Sequence, residues 1–314
     1  MRILIATVQV PFVRGGAENL AENLRQALVA EGHEADILAI PFKWYPAERI
    51  LDHMLVCRLL DVTESSCVPV DLVIGLKFPA YLVPVENKVL WLLHQHRQAY
   101  DQWGKEIGDL DKASNGLQVR AAVREADNQL IPEAKAIYTI AGNVSRRLRT
   151  FNGIESEPLY HPPQDADKFY CDSAEPYLFF PSRLNQSKRQ SLVLHALART
   201  RERVCVRFAG TGDGPTDAKD LRERARKLGV QDRVEWLGFV DEDEKRKQYA
   251  RATAVVYPPF DEDYGYVTLE AMLSSKPVIS CSDSGGPLEF IQHEQSGLIV
   301  DSTPTALAAA FDLA

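Results

Sequence analysis

Short apolar runs alternate with amphipathic stretches along the whole chain, and the alternation stops once and then restarts. A run of roughly four to eight apolar residues reads as a buried strand, and the amphipathic stretch between two runs reads as a crossover helix. Together they specify βαβ units and a parallel sheet. Residues 3–8 form the first run. In 17–31, Leu20, Leu24, Ala27 and Leu28 then recur at helical spacing, and Gly32 stands where a helix C-terminal glycine belongs. Residues 33–40, 72–75, 89–93 and 136–140 follow as strands. A proline-rich stretch of little periodicity, 158–169 with His161-Pro162-Pro163, interrupts the pattern and reads as a linker. Beyond it, 177–180, 204–209, 234–237, 254–257, 277–280 and 298–300 are further strands, with helical patterns at 192–198, 218–228 and 269–274. The expected architecture is α/β, with Rossmann-like domains over 1–163 and 164–314. Ligands of open α/β sheets bind beyond the carboxyl ends of the strands, so the active site is expected between the two domains. The absence of a 20 to 50 residue repeat disfavours solenoids and propellers.

The formal net charge of −8 opposes a surface built to hold nucleic acid, which needs a dominant basic face. Two local basic clusters, Lys105, Arg120 and Arg124, then Arg146, Arg147 and Arg149, read first as solvated helix surface and second as a face toward an anionic membrane. Five scattered cysteines without a C-x-x-C pair indicate neither a disulfide framework nor a zinc site and fit a reducing cytoplasm. The chain opens directly on a strand and no apolar run reaches the ~18 residues of a spanning helix, so neither export nor membrane spanning is expected.

Chemistry concentrates in the second half. In Tyr257-Pro258-Pro259-Phe260-Asp261-Glu262-Asp263-Tyr264-Gly265-Tyr266-Val267-Thr268-Leu269-Glu270, a strand ends, a loop follows and a helix starts near Tyr266. The unpaired backbone N–H groups of such an end bind phosphate readily. Glu262 and Glu270 are eight positions apart, too far to be helical neighbours. Two readings stand: hydrogen-bond acceptors at opposite ends of one extended ligand, Glu270 for a ribose and Glu262 for a sugar, or a first-turn acid and a solvated loop acid. Asp261-Glu262-Asp263 also resembles a D-x-D metal motif. Against a metal stand Arg183 and Lys188 after strand 177–180, which read either as ordinary exposed loop cations or as fixed charges that can neutralise a diphosphate, while their neighbour Arg189 reads as solvated.

The turn Ala209-Gly210-Thr211-Gly212-Asp213-Gly214 lacks the G-x-G-x-x-G spacing; it either turns the chain or admits a ligand to the backbone. Gly15-Gly16-Ala17-Glu18, between the first strand and first helix, has the same two readings. His94 closes strand 89–93 with His96 and Arg97 just beyond, and is either structural or a contact to the donor sugar or acceptor. No nucleophile elbow, P-loop or H-E-x-x-H is present.

In order and spacing these segments resemble the retaining GT-B glycosyltransferases of family 4, the group 1 glycosyl transferases. Gly15-Gly16-Ala17-Glu18 is similar to that family's N-terminal glycine loop, 161–169 to its linker, and Arg183 with Lys188 to its basic pair. Phe208-Ala209-Gly210 and Leu237-Gly238-Phe239-Val240 resemble its nucleotide-side loops, Glu262 to Glu270 its E-x7-E motif, and Gly285-Gly286-Pro287 with Gly297-Leu298-Ile299-Val300 its tail. The resemblance implies two Rossmann-like domains facing each other across a cleft, an acceptor-side 1–163 and a nucleotide-sugar-binding 164–314. It implies that Glu270 binds ribose, Glu262 the donor hexose, and Arg183 and Lys188 the diphosphate. Phe239 then borders the base, with Gly15, Gly16, Gly210, Gly265, Tyr266 and Val267 lining the donor and His94 near the sugar. It further implies a metal-independent hexosyl transfer from a UDP- or GDP-linked sugar, without a tightly bound cofactor. The acceptor is a saccharide or lipid-linked saccharide hydroxyl, in polysaccharide or glycolipid assembly, in the cytoplasm or at the inner face of the membrane. Family members usually continue into a helix that crosses back onto the first domain, whereas the present sequence ends at Ala314. A sugar-nucleotide epimerase of the same architecture and a non-catalytic nucleotide-binding partner are the alternatives.

Overall fold

The computed structural model describes residues 1–12, 15–212, 214 and 216–314. The chain divides into two compact units, Met1–His161 and Pro162–Ala314, each with its own parallel sheet and apolar core.

The first unit runs β1 (Arg2–Gln9), α1 (Gly16–Ala30), β2 (Glu34–Pro41), α2 (Glu48–Leu59), a short antiparallel pair β3 (Glu64–Ser65) and β4 (Val68–Pro69), β5 (Leu72–Lys77), β6 (Lys88–His94), α3 (Gly116–Leu130), β7 (Ala136–Thr139), α4 (Gly142–Asn152) and β8 (Glu157–Pro158). Its sheet order is β2-β1-β5-β6-β7-β8, parallel throughout. Strand succession changes direction between β1 and β5, which places a switch point beside the segment that follows β1.

Two helices here have disguised patterns. In α2, Ile50, Met54 and Cys57 are buried, but Leu55, Val56 and Leu59 lie on the exposed face and dilute the periodicity. In α3 the buried positions are Gly116, Val119, Val123 and Asp127, so the stripe ends on a carboxylate. Asp127 is fully buried and accepts hydrogen bonds from the hydroxyls of Tyr81 and Tyr100, both at 2.8 Å, and from Gln95 Nε2 at 3.4 Å. Burial pushes its carboxyl up to about 6, against the opposing pull of those three donors.

A folded-state value above the unfolded one, near 4, means that the protonated acid suits the fold. The stability that this contributes is full below about pH 4 and is lost as pH rises through about 6. Asp127→Asn keeps the shape and cannot ionise. The melting temperature of the parent minus that of Asp127→Asn is therefore expected to fall between pH 4 and 6.5 and to level off above; a constant difference across that window contradicts the assignment.

The basic clusters depart from the expected solvated surface. Arg120 donates from Nε to the Ala99 carbonyl at 3.0 Å and lies over the Trp103 ring, and Arg124 lies over Tyr100. Arg147 has a side chain only 11% exposed beside Asp101. Their aliphatic stems and cationic heads are used to hold α3 and α4 onto aromatic and acidic neighbours. Arg149, exposed and paired with Glu155, does match the expectation. Among the described residues no helix is long and apolar enough to cross a membrane.

The second unit runs β9 (Leu178–Pro181), α5 (Gln190–Leu197), β10 (Val206–Ala209), α6 (Asp217–Lys227), β11 (Val234–Gly238), α7 (Glu242–Arg251), β12 (Ala254–Val256), α8 (Tyr266–Leu273), β13 (Val278–Cys281), β14 (Gly297–Val300) and α9 (Pro304–Phe311). The order β11-β10-β9-β12-β13-β14 is the doubly wound one, with the succession reversing between β9 and β12. Phe179, Phe180, Phe208, Val255 and Tyr249 are among the side chains that fill its core. Tyr249 comes from α7, whose run of charges, Glu242 to Lys247, hides its buried face.

Candidate functional site

The loops that leave β9 and β12 flank the switch point of the second sheet, and together with α8, which follows the second of them, they carry seven of the twelve candidate residues. After β9 the chain makes a 3-10 turn, Gln186–Lys188, capped by the Asn185 side chain, which accepts from the Lys188 N–H at 3.0 Å. That turn directs Lys188 to the loop after β12. Its ammonium donates to the Tyr257 hydroxyl at 3.1 Å and to the Glu262 carboxylate, which also accepts from Tyr257 at 3.2 Å. The Lys188 and Glu262 side chains are 14% and 23% exposed. Burial works to lower the Lys188 pKa, but Glu262 and Tyr257 outweigh it and raise the value, so the ammonium stays charged at any ordinary pH.

Glu262 is held through its backbone. Its N–H donates to the Ser284 carbonyl at 2.9 Å and its carbonyl accepts from Gly286 at 2.8 Å. A side chain at Gly286 meets the Asp263 carbonyl at 2.5 Å, so only glycine permits this approach. Arg183 is exposed, with its carbonyl accepting from Gln190 Nε2 at 2.9 Å. Gly210 crosses directly over it: with φ of +136°, an added Cβ lies 2.2 Å from the Ser182 carbonyl oxygen. Gly210 is thus required by the chain itself, and Asp213 of the same turn lies outside the described residues. Phe239 follows Gly238 with its ring 79% exposed, and the Gly210 N–H donates to the Gly238 carbonyl.

Arg189 is not solvated as expected. It forms a two-point pair with Asp283, both contacts at 2.7 Å, and lies over the Phe260 ring. Burial works to raise the Asp283 carboxyl, but Arg189 dominates and holds it below the usual range. The arginine therefore ties the start of α5 to the loop after β13.

α8 starts at Tyr266, with Gly265 in the left-handed region at φ 92° and no room for a Cβ against Pro287, 2.6 Å away. Tyr266 and Val267 are its first two residues, where backbone N–H groups lack helical partners. Glu270 lies one turn further, 9% exposed. It accepts from the Tyr249 hydroxyl at 2.7 Å and from Lys245 at 3.1 Å, so it is not a solvent-facing first-turn acid. Sequence reasoning missed Tyr249, Lys245, Tyr257, Gln190 and Asp283. Tyr257 stood in view at a strand end, while Tyr249 and Lys245 lay in a helix without an apolar stripe.

Gly15, Gly16 and His94 belong to the first unit. Gly15 caps α1, and its N–H donates to the Glu18 carboxylate at 2.8 Å. His94 and His96 are separated by environment. His96 is buried against Phe42 and Phe78, with burial pushing its pKa to about 4. His94 is half-buried, stands in register beside Lys77, and donates from Nδ1 to the Gln95 carbonyl at 2.6 Å. Among the described residues no group of three or more His, Cys, Asp or Glu side chains is placed to hold a metal ion.

Residues 164–314 match the family model of the glycosyl transferases group 1. Arg183, Lys188, Glu262 and Glu270 lie within the matched range. Over 140 residues the chain is 34% identical to an uncharacterized glycosyltransferase of Methanocaldococcus jannaschii, covering 44% of this chain and 35% of that one. Over 178 residues it is 33% identical to the GDP-mannose-dependent alpha-(1-6)-phosphatidylinositol monomannoside mannosyltransferase of Mycobacterium tuberculosis, covering 50% and 46%. The chain thus spans less than half the length of either relative. Among solved structures, it resembles the sucrose-phosphate synthase of Thermosynechococcus elongatus with a TM-score of 0.77 at 16% identity, over 99% of this chain and 89% of that one. It resembles Anabaena HepE in complex with UDP-glucose with a TM-score of 0.68 at 18% identity, over 100% and 89%. At such identities the likeness shows the GT-B fold.

Proposed function

We infer that the chain is a retaining, family 4 type hexosyltransferase that moves a sugar from a UDP- or GDP-linked donor to the hydroxyl of a saccharide or lipid-linked saccharide. In this reading the second unit binds the donor and the first unit serves the acceptor, with Gly15, Gly16 and His94 on that side. The observation that carries it is the grouping at the switch point of the second sheet. There Lys188 and Glu262 are in contact, Arg183 stands on the same loop, and the start of α8 follows Glu262 in the chain. The sugar and diphosphate of a nucleotide sugar are joined through a single glycosidic oxygen, so a hexose-binding carboxylate belongs beside a diphosphate-binding cation. The UDP and UDP-glucose complexes of HepE and the named GDP-mannose dependence of the mycobacterial relative support a nucleotide-sugar donor.

In the reaction, the bond from the anomeric carbon to the diphosphate oxygen breaks, and Arg183, Lys188 and the N–H groups of Tyr266 and Val267 stabilise the charge that develops. The acceptor oxygen bonds to the same face of that carbon, and its proton passes to a phosphate oxygen of the departing diphosphate. Peripheral association with a membrane surface follows if the acceptor is lipid-linked.

Fixed cations leave no need for a divalent ion. Release of UDP from UDP-glucose, or of GDP from GDP-mannose, is expected to proceed in EDTA at the rate seen with Mg²⁺ or Mn²⁺. Activity that vanishes in EDTA and returns with metal sinks this reading and revives Asp261 and Asp263 as ligands. Conversion of the donor to another nucleotide sugar, with no diphosphate released, favours the epimerase instead.

A further inference from the structure

The Glu270 carboxylate is already half engaged. Oε2 accepts from the Tyr249 hydroxyl at 2.7 Å and Oε1 from the Lys245 ammonium at 3.1 Å. The two donors are four residues apart on α7 and so share one face of it. Tyr249 is fully buried and packs edge-on against Phe179, while Lys245 is 19% exposed and is also paired with Glu242 at 2.8 Å. Their anchoring fixes the plane of the carboxylate.

A carboxylate has about four acceptor positions, two on each oxygen. With one occupied on each, one remains on each. Two acceptors on a single rigid plane are complementary to two adjacent hydroxyl donors, which is what the 2′- and 3′-hydroxyls of a ribose present. Were the carboxylate free to rotate, one hydroxyl could be served as well as two, and loss of the second would cost little.

We propose that Tyr249 and Lys245 are positioning residues that make Glu270 a two-point receptor for a vicinal diol, so that the site selects ribonucleoside over 2′-deoxyribonucleoside diphosphates. The proposal rests on Glu270 being the ribose contact, and it adds the residues that set sugar-ring specificity. A purely structural tie between α7 and α8 affects both nucleotide classes alike, which separates the two roles.

The test is calorimetric titration of UDP, 2′-deoxy-UDP, GDP and 2′-deoxy-GDP into the full chain and its Tyr249→Phe, Lys245→Met, Lys245→Arg and Glu270→Gln variants, with melting curves to establish folding. Whichever base binds, the parent is expected to prefer the ribonucleotide by about 10-fold or more, the value of one hydrogen bond to a charged group. Tyr249→Phe and Lys245→Met are expected to reduce that preference to about 3-fold or less, and Lys245→Arg to restore most of it. Folded variants that keep the parent's preference overturn the proposal. If Tyr249→Phe does not fold, Lys245→Met decides alone, since it alters a partly exposed side chain. Unchanged ribonucleotide affinity in Glu270→Gln shows instead that Glu270 is not the ribose contact, and the underlying reading fails with the proposal.

Discussion

Alanine in place of Arg183 or Lys188 is expected to lower kcat by about 10²- to 10³-fold, the usual effect of deleting one preorganised electrostatic donor. Negative charge on the diphosphate grows as the glycosidic bond breaks, so a fixed cation interacts more strongly with the transition state than with the bound donor. Only an interaction that strengthens along the path raises turnover; one of constant strength tightens binding alone. Donor affinity should therefore fall less than kcat. The two residues should not be equivalent in binding. Arg183 is exposed, whereas Lys188 also neutralises Glu262, so Lys188→Ala leaves a carboxylate facing an incoming anion and should raise KM more. The double variant should lose less than the product of the singles, because both cations stabilise one charge. Arg189 is unsuitable as a like-charged control, since its pair with Asp283 anchors the neighbouring loop. Lys227 serves instead, with a side chain 74% exposed, and Lys227→Ala should keep normal turnover. Steady-state kinetics on these variants decide the matter, and an unchanged kcat in either cation variant ends the leaving-group assignment.

The sequence was most legible where burial is simple. Strands covered on both faces appear as unbroken apolar runs, and the twelve parallel strands of the two sheets are the six expected between 177 and 300, the five expected at 3–8, 33–40, 72–75, 89–93 and 136–140, and the two-residue β8, which was not expected. α2, α3 and α7 were hidden for a common reason: their residues break the polar-outside, apolar-inside rule. α2 exposes Leu55, Val56 and Leu59, α3 buries Asp127, and α7 buries Arg246, Gln248 and Tyr249 beneath a charged face. At the candidate site, charge type and order could be read, but not pairing. Nothing in the local sequence says that Lys188 meets Glu262, 74 positions away, or that Arg189 meets Asp283, 94 positions away. Such pairs are made by the order of the strands, which brings the ends of β9 and β12 together.

The contact between Lys188 and Glu262 sharpens the expected division of labour between the two glutamates. Glu270→Gln keeps an oxygen and loses the charge that faces Lys245, so free UDP or GDP and the intact donor should weaken by a similar factor. Loss of a charge-assisted hydrogen bond, about 1.5 to 3 kcal/mol, corresponds to roughly 10- to 150-fold. Glu262→Gln should act in the opposite way on the free nucleotide. It removes a negative charge beside the diphosphate position and releases the Lys188 ammonium from its pair, so affinity for UDP or GDP should stay at the parent level or rise slightly. The intact donor should nevertheless suffer, because its hexose loses an acceptor, and turnover should fall with it. Titration of each variant with the nucleoside diphosphate and with the whole donor separates the two patterns. If both substitutions weaken free nucleotide equally, the two ends of the ligand have been assigned to the wrong carboxylates, and Glu262 rather than the sugar's partner becomes part of the nucleotide site.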